Sequence, residues 1–400
     1  MSGCISVINS GSSSIKFSLF DQIEQEEMRL IFSGQIEGIG TAPKFKAKDG
    51  DGLVIDEKQF EQGASSGHEH LMEELIDWIR ARRLELGLEL RGVGHRVVHG
   101  GPFYSRPVKV DDQVLAELEQ FIVLAPLHQP HNLSSIRTIL QMSGDIEQVA
   151  CFDTAFHRTN PPEAQTFALP YELSEEGVRR YGFHGLSYEY IARRLPELAP
   201  ELANGRVIVA HLGNGVSMCG LNIGVSVAST MGFSAMDGLV MGTRPGNLDP
   251  GVVLYLLQEK QMSGDEIADL LYKRSGLLGI SGISNDMRVL LASEDPRAKE
   301  AIEIFVYRIG REIGSLTAAL GGLDGLIFTA GIGEHSPEIR QRVCDVASWL
   351  GIELDEAANG RGETLISRPQ SKIAVMVIPT NEELMIATHT RDVLLGDVTV

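Results

Sequence analysis

One unit occurs twice in this chain and constrains its fold more than any other feature. Near the start, the mainly apolar run Cys4 to Asn9 breaks at Ser10-Gly11-Ser12-Ser13-Ser14, after which Ile15, Phe17 and Leu19 alternate with Lys16 and Ser18. In the second half, Arg206 to Ala210 is again apolar, breaks at His211-Leu212-Gly213-Asn214-Gly215 and is followed by Val216 to Asn222. An apolar run, a polar glycine-bearing turn and a second apolar or alternating run make the pattern of strand, turn, strand. Two such openings, each leading into mixed strands and helices, predict two α/β domains of like topology facing each other across a cleft. The length agrees, because 400 residues with 43% hydrophobic content exceed what one core usually covers.

Helical periodicity is clearest over His70–Leu86, Asp112–Val123, Tyr188–Leu195 and Pro296–Leu320, with Gly87 closing the first and Pro196 stopping the third. Toward the end, Lys372–Ile378 reads as a buried strand, and Pro379-Thr380 opens a helix through Leu384, Ile386 and Ala387. Thr380 and Glu383 have capping-box spacing, which leaves Glu382 free near the positive end of that helix. No low-complexity linker separates the halves, which places the junction near Gln148–Asp153. The expected domains are residues 1–150 with the C-terminal helix at about 383–400, and residues 151–382.

Charge narrows the function. With 54 acidic against 35 basic side chains the formal net charge is -19, a surface that repels nucleic-acid backbones and anionic lipid. No basic leader followed by an apolar stretch and no run of membrane-spanning length is seen, so a cytoplasmic protein is expected. Cys4, Cys151, Cys219 and Cys344 are scattered without CxxC spacing and read as small buried hydrophobes in a reducing compartment.

Neither GxxxxGK[ST] nor GxGxxG occurs, so phosphate must be held in another way. Three turns rich in Gly, Ser and Asn, at Asn9–Ser14, His211–Ser217 and Gly331–Gly333, would let backbone N–H groups approach phosphate oxygens, with Lys16 adding a point charge. Taken singly each is an ordinary hairpin turn; the set is what points to a phosphorylated ligand. The pairs His68/His70, His95/His99 and His128/His131 resemble metal spacings but lack a third ligand.

The blocks NSGSSSIKF at 9–17, GHRVVHGG at 94–101, FDTAFH at 152–157, RRYGFHG at 179–185, HLGNGVS at 211–217, MGTRPG at 241–246, SGLLGISGISNDMR at 275–288, FTAGIGE at 328–334 and IPTNEELMIA at 378–387 follow one another along nearly the whole chain. In this order they resemble the acetate and propionate kinase family. The resemblance implies the duplicated, ribonuclease H-like fold shared with sugar kinases and actin-like ATPases. It also implies transfer of the terminal phosphoryl group of ATP to acetate, with propionate or a broader short-chain carboxylate as the alternative, and assembly as a homodimer.

Residue by residue, the resemblance places Arg96 and Arg244 at the carboxylate and the transferring phosphoryl group, where planar forks suit anionic oxygens. His184 stands beside the same group, and Asp153 near the acceptor. Asn9, Ser14 and Glu382 match positions linked to magnesium, for which manganese is the substitute, and its waters. His211, Gly213, Asn214 and Gly215 are assigned to the phosphates, together with Lys16; Asp286, Met287 and Arg288 to the adenosine; and Gly331, Ile332 and Gly333 to the far side of the base. Val98, Leu127 and Phe183 are the expected acyl contacts. Because the acceptor is a carboxylate, ionised at neutral pH, no strong general base is required, and Asp153 is expected to orient rather than accept a proton.

The chain also departs from the family's pattern. Val225 and Ala228 stand where a lysine and an acidic residue are usual, Tyr188 stands for a histidine and His335 for an asparagine. Ala235, in GFSAMDG, stands where a proline forms part of the acyl wall, so room for about one more methylene is expected. Two rival readings remain at this point, a non-catalytic nucleotide-binding module and a phosphohydrolase on the same fold.

Overall fold

The computed structural model describes residues 2–25, 27–60 and 67–396. The chain divides into two units, Met1–Phe156 with Asn381–Val400, and His157–Thr380. The division falls after Phe156 because Gln148–Phe152, where the junction was expected, is a fully buried strand of the first sheet.

The first unit carries eight strands, β1 Ser2–Ser10, β2 Ser14–Asp21, β3 Arg29–Glu37, β4 Lys44–Asp49, β5 Val54–Gln59, β6 Leu88–Val97, β7 Val108–Lys109 and β8 Gln148–Phe152, in the order β5-β4-β3-β2-β1-β6-β8-β7. The second unit carries β9 Arg206–Leu212, β10 Val216–Asn222, β11 Val225–Ser229, β12 Gly325–Thr329 and β13 Ala374–Val377, in the order β11-β10-β9-β12-β13. In both, a meander of three antiparallel strands (β1-β2-β3; β9-β10-β11) continues into two parallel ones (β6-β8; β12-β13). The repeated strand–turn–strand unit of the sequence is therefore the first hairpin of one sheet topology built twice.

Alternation along the strands directs each core. Val93 joins a cluster with Leu71, Leu75 and Ile79 of the helix His68–Glu85 and with Ile139 of the helix Gln129–Met142. Its neighbour Gly94 faces the other side, where a Cβ would lie 2.2 Å from Thr390 Oγ1 and 2.6 Å from Ile386, and a Cβ on Gly92 would lie 2.5 Å from Leu394. Both are glycine because the helix Glu382–Leu395 lies directly on β6. Trp78 packs with Phe17, Phe32 and Phe45 at centroid distances of 5.6, 5.1 and 5.1 Å, a cluster that stiffens the meander end of the sheet. In the second unit the long helix Pro296–Leu320 lies on β9, β10 and β11.

Local details depart from expectation at three places. Pro196 lies inside the last turn of the helix Gly185–Leu198, which ends only where Ala199 leaves the helical region before Pro200, as a residue preceding proline does. The helix from Asp112 ends at Gln120 and continues as a 3-10 turn over Phe121–Leu124. The last helix is capped by Asn381, whose side chain accepts from Leu384 N at 2.9 Å, and not by Thr380, so the capping box does not form. Glu382 is its first residue; positions 397–400 of the expected helix lie outside the described residues. All four cysteines are free and buried. Among the described residues no helix is long and apolar enough to cross a membrane.

Candidate active site

In the first unit, β1 brings Asn9 to the hairpin turn, which closes with Gly11 N donating to Ser14 O at 2.8 Å. The turn is tied down by Asn132, whose amide donates to Ser10 O at 2.6 Å while its oxygen accepts from Val98 N at 3.0 Å. One buried side chain thus couples the turn to the end of β6, where Arg96 stands. Arg96 forks onto Asp153, Nε to Oδ1 at 2.9 Å and Nη2 to Oδ2 at 2.6 Å, and points Nη1 toward Asn9 Oδ1 at 3.4 Å. Glu382, the first residue of the last helix, is 3.8 Å from Arg96 Nε. Burial opposes the charge of Arg96, yet Asp153 and Glu382 together hold it firmly protonated. Burial raises the pKa of Glu382 against the pull of Arg96, with Asp153 adding to the rise and Lys16 opposing it. Among the described residues the Glu382 carboxylate accepts no hydrogen bond, so its lone pairs remain for a cation or its water shell. Lys16 pairs with Asn9 in the β1–β2 register, and Ser14 closes the turn. Val98 is buried and Leu127 half-buried in the same unit.

In the second unit, His184 sits in the left-handed region (φ 57°) at the cap of the helix Gly185–Leu198. Its backbone turn is pinned by His157, whose Nε2 lies 2.9 Å from the Phe183 carbonyl. Its ring is held twice, Nδ1 against Ser217 Oγ at 2.8 Å and face-on against His211 at a centroid distance of 4.1 Å. His211 is in turn fixed by Ser187 Oγ at 2.9 Å, and the turn beyond it closes with Gly213 N donating to Gly215 O at 3.1 Å. A Cβ on Gly215 would lie 3.0 Å from His184 Nε2, so the backbone of the phosphate turn and this nitrogen face each other closely. Arg244 follows a tight turn in which Met241 N donates to Arg244 O at 3.0 Å, and its Nη1 donates to the Ala235 carbonyl at 2.9 Å. Gly276 (φ 62°) supports that turn: a Cβ there would lie 2.2 Å from Met241 O and 2.7 Å from Arg244 O.

A cavity of about 1020 Å³ opens in the same unit, and its walls include Gly213, Asn214, Asp286, Met287, Arg288, Gly331 and Ile332. Asp286 caps the short helix Met287–Leu291 and takes the fork of Arg288 at 3.0 and 2.5 Å, an interaction that lowers its pKa. Arg288 itself is highly exposed on the rim. Of the other residues expected at the nucleotide, Lys16, His211, Gly215 and Gly333 do not line this cavity; His335, which departs from the family pattern, does.

The structure therefore gathers Asn9, Arg96, Asp153 and Glu382 in one set, His184, His211 and the Gly213–Gly215 turn in another, and Arg244 with Ala235 in a third. Among the described residues no group of three His, Cys, Asp or Glu could hold a metal; His68 and His131 approach as rings at 5.0 Å. Four supporting residues escape sequence reasoning. Asn132 ties the first turn; Ser217 holds His184; and Glu334 accepts from Ala330 N at 2.8 Å and Thr380 N at 3.1 Å. The fully buried Arg340 donates to the Gly333 and Glu334 carbonyls at 2.9 and 2.8 Å. Ser217 and Glu334 lie within quoted blocks, the one hint at their roles, whereas Asn132 and Arg340 lie outside every block.

A sheet topology built twice, glycine-bearing turns and a nucleotide-sized cavity define a class of duplicated α/β proteins that bind phosphorylated ligands. The model of the acetokinase family matches residues 4–388, and the chain belongs to that family. It is 56% identical over 393 residues to an acetate kinase of Rhodopseudomonas palustris, covering 97% of this chain and 98% of that one. Among solved structures, a propionate kinase from Francisella tularensis is similar with a TM-score of 0.88 at 39% identity, covering 97% of this chain and 99% of that one. The acetate kinase of Porphyromonas gingivalis gives 0.84 at 35% identity, covering 98% and 100%.

Proposed function

We propose that this protein transfers the γ-phosphoryl group of ATP to acetate, reversibly, giving acetyl phosphate and ADP. The observation that carries the reading is the cavity of about 1020 Å³ that joins Gly213 and Asn214 to Asp286–Arg288 and to Gly331 and Ile332. Three segments far apart in sequence, each expected at a different part of ATP, share one wall.

Phosphoryl transfer asks for in-line placement and cancellation of charge on the equatorial oxygens. Arg96, aimed by its fork on Asp153, takes the acceptor carboxylate with the N–H groups that fork does not use. Asp153 orients this guanidinium; the acceptor is already ionised, so no proton has to leave it. Arg244 and His184 take the transferring group, and the N–H groups of the Gly213–Gly215 turn take the phosphates next to it. Val98, Leu127, Phe183 and Ala235 bound the acyl group. Glu382, with its unshared lone pairs, and Asn9 fit a magnesium ion and its waters, with Ser14 in the hairpin turn that follows Asn9; when bound, the ion neutralises phosphate charge.

A cytosolic setting is supported by the four free, buried thiols, which suit a reducing compartment. The protein works as a homodimer, a reading supported by the helix Pro250–Gln258, which leaves Val252, Leu254, Tyr255 and Leu257 exposed at 40–51% on its surface.

A coupled assay for ADP, run with and without acetate, tests the function. Acetate-dependent ADP release is expected; release without acetate indicates a phosphohydrolase, and no release a binding module.

A further inference from the structure

Tyr188 is among the completely buried polar side chains that the mechanism leaves unused. Tyr188 lies one helical turn beyond His184 with no exposed surface, and its hydroxyl meets Ser217 Oγ. The same Ser217 Oγ is 2.8 Å from His184 Nδ1. The Tyr188 ring stands edge-on to His157 at 5.5 Å and to His211 at 6.3 Å, so three imidazoles surround the phenol and its serine partner.

A hydroxyl has one proton to donate, and that count orders the chain. If Tyr188 donates to Ser217 and Ser217 donates to His184, Nδ1 is the acceptor and the ring proton resides on Nε2. Nε2 is the nitrogen that faces the backbone at Gly215, on the side of the phosphate turn. The opposite order turns a lone pair toward that turn, where it would repel an anionic oxygen.

We infer that Tyr188 is a positioning residue for phosphoryl transfer, holding His184 through Ser217 in the tautomer whose Nε2–H faces the His211–Gly215 turn. The inference rests on the function proposed above, but its spectroscopic test does not.

Histidine nitrogen NMR on the wild type, on Tyr188→Phe, on Ser217→Ala and on the double variant decides it. In the wild type the His184 signals should show Nδ1 unprotonated and Nε2 protonated; in Tyr188→Phe they should move toward a mixture of tautomers. With acetate and ATP, Tyr188→Phe should lose about tenfold in kcat with KM for acetate within about twofold. Because both side chains act along one proton chain, the double variant should stay within about twofold of Ser217→Ala alone. An unchanged tautomer, a kcat within about twofold of wild type, or losses that multiply in the double variant would overturn the inference. If Tyr188→Phe does not accumulate folded, Ser217→Ala must give the tautomer change by itself, and its absence is equally decisive. A wild type without acetate-dependent ADP release sinks the proposed function, while the tautomer comparison still judges the relay.

Discussion

Replacing Asp153 by asparagine changes almost no volume but removes the anion on which Arg96 is forked. The carboxylate is 2% exposed and the guanidinium 21%, so solvent replaces little of what is lost. Asparagine still accepts at 2.9 Å from Nε, but its amide group then opposes Nη2, a donor, across a contact of 2.6 Å. Removing one partner of a buried pair costs about 3–5 kcal/mol. Glu382 remains 3.8 Å from Nε, and its gross attraction of roughly 4 kcal/mol at an effective dielectric of about 20 keeps the loss near the lower limit, about 3 kcal/mol. Trp78 reports the unit concerned, since it is packed against Phe17, Phe32 and Phe45, and Trp349 can be replaced by phenylalanine to leave one emitter. Urea titration of Trp78 fluorescence in that background measures the change. In the same variant the KM for acetate should rise because Arg96 is no longer aimed, and the loss should be equal across the pH range. A stability within about 0.5 kcal/mol of the parent would refute the charge argument. Activity that returns as the pH rises would instead mark Asp153 as a general base and refute the orienting role.

Gly276→Ala should lower kcat by at least about tenfold with an unchanged circular dichroism spectrum, since the new Cβ would lie 2.2 Å from the Met241 carbonyl and displace the Arg244 turn; near-normal turnover would show that the turn yields at no cost. Lowering the pH from 7 to 5 should cost about 2 kcal/mol through His95 alone, read as a shift in urea midpoint. Burial pulls this imidazole to about 4, so its contribution is complete above the unfolded value of 6.5 and is lost as pH falls toward 4; His95→Gln should flatten the slope. Ala235→Pro should move the kcat/KM ratio from propionate toward acetate by up to about tenfold. The Ala235 N–H donates no hydrogen bond among the described residues, and the carbonyl that receives Arg244 is kept, so an unchanged ratio would remove Ala235 from the acyl wall.

Local pattern determined a large part of this protein. The alternation around Ser10–Ser14 and His211–Gly215 made both hairpins legible, Pro296 and Gly321 bracket the longest helix, and Gly87 (φ 67°) ends the first one. These are short-range rules of sterics and hydrogen bonding, and they act on neighbours in the chain. The quoted blocks identified the family as a set, in their order along the chain, and most of them span the end of a strand or the start of a helix. Tertiary structure decided what depends on distant partners. The capping-box spacing pointed to Thr380, but the cap is Asn381, and the Thr380 N–H is taken by Glu334, 46 residues away. Gly92 and Gly94 look like strand-weakening residues until the helix Glu382–Leu395 is laid on β6. The supporting shell was hidden most completely. Asn132 reaches Ser10 across 122 positions and Ser217 reaches His184 across 33, and a hydrogen bond between residues so far apart leaves no periodic trace in the sequence.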